Sequence, residues 1–200
     1  MSIKLLGKQS LVYGFGHVIT RLVTFLLLPL YTNQFTPEQY GIVALFYTFV
    51  PLLNIVVRYG MGAAFLKNYV PANKEDRMSI MTNVIISLVL TGIPFLLLFY
   101  FFRDNLSIVF FGVAKPSYVV MMGIIIFLDT IWSIPMLALR AENRPRLFIF
   151  FSFLNVGVTL LCNLVFIIIF KMNIGSIFLS NLIASLIIFI LVLPYIYQRF

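Results

Sequence analysis

Charge is what this chain has least of. Only 10% of its 200 residues are Asp, Glu, Lys or Arg, and just six of those are acidic. A water-soluble domain carries about a quarter of its residues charged, so water is not the main solvent of this chain. Cysteine occurs once, as Cys162 inside an apolar run. That excludes a disulfide framework and a Cys-based zinc centre, and leaves a buried, inert thiol. Histidine also occurs once, as His17. With no second histidine there is no H-E-x-x-H zinc motif, and neither a G-x-S-x-G nor an Asp-rich metal motif is present. Five of the six carboxylates (Glu38, Glu75, Asp76, Asp104 and Glu142) fall in the breaks between apolar runs. The convergent acids, histidines or base-activated nucleophile of a membrane enzyme are missing, so no catalytic residue, metal or cofactor is expected.

Apolar length is what the sequence has in abundance. It is 62% hydrophobic with a mean hydropathy of +1.08, and its 22 Phe and 10 Tyr suit helices packed in lipid with aromatic interfaces. Six runs, at about 10–33, 37–60, 78–102, 118–139, 147–170 and 174–197, each reach the roughly 20 residues that cross a bilayer. The expected fold is therefore an all-α integral membrane bundle of six transmembrane helices, one domain over residues 1–200. Helix-start chemistry marks the breaks: Thr36-Pro37-Glu38, then Asn73 with Glu75 and Asp76, then Pro145, then Asn173. The first run is too long for a signal peptide, carries Arg21 at its centre and lacks a small-x-small cleavage site, so it reads as a permanent helix.

The basic residues set the orientation. With the N-terminus in the cytoplasm, the inner segments hold Lys4, Lys8, Lys67, Lys74, Arg77, Arg140, Arg144, Arg146 and Arg199, against Arg103, Lys115 and Lys171 outside. This asymmetry accounts for much of the net charge of +8 without a nucleic-acid partner.

Polar side chains recur at helical spacing within the spans, and such faces turn away from lipid. They are Ser10, Gly14, His17, Arg21 and Thr24; Tyr47, Pro51, Asn54 and Arg58; Asn83, Ser87 and Thr91; Asp129 and Ser133; Ser152, Asn155, Thr159 and Asn163; Asn181 and Ser185. Small and hydroxyl residues commonly glue helices together. Asn residues and charges cost more to bury, and a stripe on every span points to a bundle around a polar interior. Arg21 and Asp129 both lie about 15 Å deep at 1.5 Å per residue. Two readings are open for them: a mutual ion pair that pins two helices, or an anion site at Arg21 that Asp129 orients or couples. Arg58 either snorkels to the inner surface or joins the site, and His17 either carries a proton or is a hydrogen-bonded interior residue. Pro51, Pro94 and Pro135 allow kinks inside spans two to four.

Three stretches carry a family likeness: "LLLPLYTNQFTPEQYGIVALF" (Leu26–Phe46), "RYGMGAAFLKNYV" (Arg58–Val70) and "LRAENRPRLF" (Leu139–Phe148). In order and spacing they resemble the N-terminal half of polysaccharide flippases in the multidrug/oligosaccharidyl-lipid/polysaccharide exporter superfamily. The resemblance implies the N-terminal six-helix lobe of a MATE-like transporter, with the second lobe absent from these residues. It also implies a carrier that flips undecaprenyl-diphosphate-linked oligosaccharide across the bacterial inner membrane by alternating access. The partners implied are the lipid-linked oligosaccharide, membrane lipids, a second six-helix lobe and polysaccharide assembly proteins, serving lipopolysaccharide O-antigen, capsule or exopolysaccharide. An anionic diphosphate would meet Arg21, with Arg58, Asn54 and His17 as further binding candidates. The alternatives are a multidrug/cation antiporter of the same superfamily, which would want interior carboxylates, and a non-transporting membrane assembly partner.

Overall fold

In hydrocarbon every backbone amide must find its partner within the chain, which favours helix throughout. The structure, a computed structural model, describes residues 27–197, and the regular structure among them is helical. Most of the first expected span lies outside the described residues; its end forms helix α1 over 27–34. Then follow α2 (Pro37–Arg58), α3 (Met61–Tyr69), α4 (Lys74–Phe101), α5 (Arg103–Phe111), α6 (Pro116–Ala141), α7 (Pro145–Leu164), a π-helical turn (Val165–Ile169) and α8 (Gly175–Tyr197). Five of these are long and apolar enough to cross a bilayer: α2, α4, α6, α7 with its π-turn, and α8. They make the chain a multi-pass membrane protein.

The capping residues do what their chemistry suggests. Thr36 Oγ1 accepts from the Gln39 amide at 3.4 Å while Gln39 Oε1 accepts from the Thr36 amide at 3.2 Å, a capping box with Pro37 at the first helical position. Asn73 Oδ1 accepts from the Asp76 amide at 2.8 Å. With that cap in place α4 begins at Lys74, ahead of the apolar run that starts at Met78, because Glu75 and Asp76 suit the first turn.

A larger departure concerns the second span, expected to end at Gly60 and leave the bilayer. Tyr59 and Gly60 take left-handed angles (φ 35° and 83°) that break the helix, and glycine is the residue able to take the second without strain. The chain then runs on as α3, packed against α4 and α6. Tyr69, at the end of α3, donates its hydroxyl to Glu142 Oε1 at 2.5 Å, just past the end of α6. Arg58 therefore sits at a break about 13 Å of helix short of that end of the bundle.

Helix α6 is the hub, packing against α2, α3, α4, α5, α7 and α8. Two apolar cores are stacked along it. One gathers around Phe46, Tyr118 and Phe178, whose rings lie 4.3 and 4.4 Å apart centroid to centroid at the α5 end. The other gathers around Phe65, Tyr69, Leu88, Ile134 and Ile188 at the α3 end. Between them α6 contributes Asp129, Thr130 and Ser133, and α8 contributes Asn181 and Ser185, forming a polar belt at mid-depth. Helix α4 contributes little to that belt. Its Asn83 and Thr91 are exposed, and its buried face is Met81, Val84, Leu88, Gly92 and Phe99. The expected inward stripe on the third span is thus replaced by an apolar and glycine face, which lets α4 approach α6 closely.

Candidate functional site

Asp129 lies halfway along α6, about 19 Å of helix from either end. Its Oδ1 accepts from Ser185 Oγ at 2.6 Å and from Trp132 Nε1 at 2.9 Å. Arg58 approaches the same residue but donates Nη2 to its backbone carbonyl at 3.4 Å, not to its carboxylate. The Arg58 Nε is buried and has no hydrogen-bond partner among the described residues. Of the two readings open for Arg58, this contact is in keeping with the one that joins it to the interior: its guanidinium lies on α6. Arg21 and His17, and with them the expected Arg21–Asp129 pair, lie outside the described residues.

Asn54, expected to face a ligand, is only 8% exposed. Its Oδ1 accepts from Thr130 Oγ1 at 3.3 Å and its Nδ2 donates to the Val50 carbonyl at 3.1 Å. It joins α2 to α6 and does not line the cavity described next. Replacing Asn54 with Leu is expected to lower stability by about 1 kcal/mol. A double-mutant cycle with Thr130→Val, read by thermal unfolding in detergent, should recover that coupling; additive losses would argue against the bond.

A cavity of about 320 Å³ opens between the end of α2, the second half of α6 and the start of α7. Arg58, Arg140 and Trp132 line it, together with Ser133, Ser152 and Asn155. Among the described residues, no acidic side chain lines it. Arg140 also lies over the Phe148 ring, 5.5 Å from its centroid, and Phe148 forms part of the same wall. The sequence marks Arg140 only as a cytoplasmic topology charge; what brings it in is its place in the last turn of α6, on the face turned to α7. Ser133, Ser152 and Asn155, by contrast, belong to the stripes visible in the sequence. Guanidiniums, hydroxyls and an amide lining one cavity can hold an anion through bidentate, charge-assisted hydrogen bonds.

Fold and composition together define a helical, multi-pass membrane protein. The structure is similar to a solved MOP superfamily transporter from Pyrococcus furiosus, with a TM-score of 0.75 and 14% sequence identity, over 96% of this chain and 45% of that one. This chain thus spans less than half the length of that transporter. Residues 6–200 match the family described as polysaccharide biosynthesis protein, and the chain belongs to that family. No curated protein matches it.

Proposed function

We propose that this chain forms the anion-binding lobe of a carrier that moves phosphate-bearing, lipid-linked saccharides across a membrane. The carrying observation is that Arg58 and Arg140 share one cavity that no acidic side chain lines among the described residues. The substrate of this reading is undecaprenyl-diphosphate-linked oligosaccharide, moved from the inner to the outer leaflet of the bacterial inner membrane by alternating access. The N-terminus is cytoplasmic, and a second lobe, polysaccharide assembly proteins and membrane lipids are the partners. Arg21 and His17 belong to the same reading from the sequence alone. Membership of a polysaccharide biosynthesis family and the MOP fold support a transporter over an enzyme.

The Pyrococcus furiosus transporter is described as having a binding pocket of reverse polarity that suggests a different function. Pocket charge is therefore the property to read on this chain, and here it is positive. A cation antiporter would present a carboxylate to its passenger, whereas the Asp129 carboxylate is engaged by Ser185 and Trp132.

Replacing Arg140 with Gln removes one of the two positive charges that line the cavity. Surface polysaccharide in cells that depend on this protein should fall about tenfold, the worth of one charge-assisted bond. Quantified surface polymer, alongside membrane abundance of the variant, checks this; unchanged polymer would count against the site.

A further inference from the structure

The cavity holds a feature that anion binding does not use. Trp132 lines it, yet the indole N–H is turned away onto Asp129 Oδ1 at 2.9 Å. With that donor engaged, what Trp132 offers an occupant is the π-surface of its ring. Asp129 is fixed in turn, since the same Oδ1 accepts from Ser185 Oγ on α8 at 2.6 Å. The result is a chain from α8 through α6 to the cavity wall: Ser185 to Asp129 to Trp132. Asp129 itself is not a lining residue.

Buried carboxylates are expensive in a bilayer and persist where something is gained. Among the described residues no guanidinium hydrogen-bonds this carboxylate, since Arg58 takes the backbone carbonyl of Asp129 instead. What the carboxylate does hold is the indole. Arg58 and Arg140 line the same cavity as Trp132, so a flat apolar platform shares that space with two phosphate-seeking groups. The pyranose ring of a sugar phosphate matches that arrangement. Its axial C–H face packs on an aromatic ring, its hydroxyls reach side chains such as Ser133, Ser152 and Asn155, and its phosphate meets the guanidiniums.

We infer that this cavity binds the sugar–phosphate junction of its passenger, with Trp132 as the stacking platform for the first sugar ring and Asp129 as the residue that positions it. This rests on the anion-site reading above and adds a sugar subsite to it. Asp129 acts through its geometry, not its charge.

Trp132 is the single tryptophan of these 200 residues, so its emission reports this cavity directly. The test uses the full chain in lipid nanodiscs, titrated with inorganic phosphate, pyrophosphate, glucose and glucose 1-phosphate, with binding also followed by calorimetry. Glucose 1-phosphate should bind about fivefold tighter than phosphate and shift Trp132 emission. Asp129→Leu should abolish that preference and move the resting emission, while pyrophosphate binding stays within twofold. Asp129→Asn keeps an oxygen acceptor for the indole and should retain the preference. Ser185→Ala, a milder change that leaves the fold intact, should weaken it in part.

Equal binding of phosphate and glucose 1-phosphate by the unaltered chain, with pyrophosphate binding still lost in Arg58→Gln, would overturn the sugar subsite and leave the anion site standing. An Asp129→Asn variant that behaves like Asp129→Leu would overturn the positioning role in favour of charge. Absence of pyrophosphate binding in the unaltered chain would overturn both readings together.

Discussion

Cells carrying Arg58→Gln should show surface polysaccharide reduced by about a hundredfold, with the protein still inserted at normal abundance. Arg58 is placed by backbone geometry: α2 ends on it, and the left-handed pair Tyr59 and Gly60 carries the chain sideways into α3. One arm of the guanidinium is anchored by Nη2 on the Asp129 carbonyl at 3.4 Å, and the buried Nε has no partner among the described residues. A buried donor without a partner costs about 1–3 kcal/mol, and a phosphate oxygen is the kind of acceptor that recovers it. Glutamine removes both the charge and the fork. Lysine keeps the charge as a point without the planar fork, so Arg58→Lys should retain an intermediate level of polymer. The structural role is small by comparison, since Asn54, Thr130, Tyr47 and Asn181 still tie α2 to its neighbours. Unfolding in detergent should therefore move little for Arg58→Gln. Normal surface polymer in that variant would remove the ground for the anion site.

The second large effect is one of packing. A Cβ on Gly123 would lie 3.1 Å from both Cβ and Cδ1 of Phe99. Phe99 is 2% exposed and packs against Phe95 at 4.4 Å between ring centroids, so its own Cβ yields only if α4 moves. In lipid no hydrophobic force pulls helices together, and close van der Waals approach supplies much of their association. Gly123→Leu should accordingly cost about 3 kcal/mol and deplete folded protein from the membrane. Gly157 gives the matched control: a Cβ there meets nothing within 4 Å among the described residues, and Gly157→Leu should accumulate normally. Phe99→Ala placed on top of Gly123→Leu should restore part of the loss. Thermal stability in detergent and membrane yield read all three, and a stable Gly123→Leu protein would contradict the close α4–α6 contact.

The sequence discloses much of this arrangement because lipid imposes simple rules. Apolar length marks the spans, and the caps at Thr36, Asn73 and Pro145 mark where helices start. Polar spacing picks out residues that prove to bond between helices: Asn54 with Thr130, Tyr47 with Asn181, Asp129 with Ser185. Two things stay hidden in it. A break such as Tyr59–Gly60 leaves the apolar pattern intact, so the reach of α3, and with it the depth of Arg58, depends on angles that hydropathy does not encode. Arg140 looks like every other positive residue beside a membrane, and only the packing of α7 on α6 makes it part of the cavity lining. The role of Asn54 is concealed for the opposite reason. Its spacing says that it faces inward, while helix glue and ligand contact share one periodicity.

The polar belt has a mechanical consequence. Oily contacts hold helices near one another yet let them spin about their long axes. Directional bonds do not: Tyr31 to Asn163 indexes α1 against α7, Thr130 to Asn54 indexes α6 against α2, Asn181 to Tyr47 indexes α8 against α2, and Tyr59 to Ser87 indexes the break against α4. Each long helix is keyed to a neighbour like a shaft in a slot. Motion within the bundle is thereby channelled into bending, at the prolines and at the Tyr59–Gly60 joint, because rotation would shear the keys.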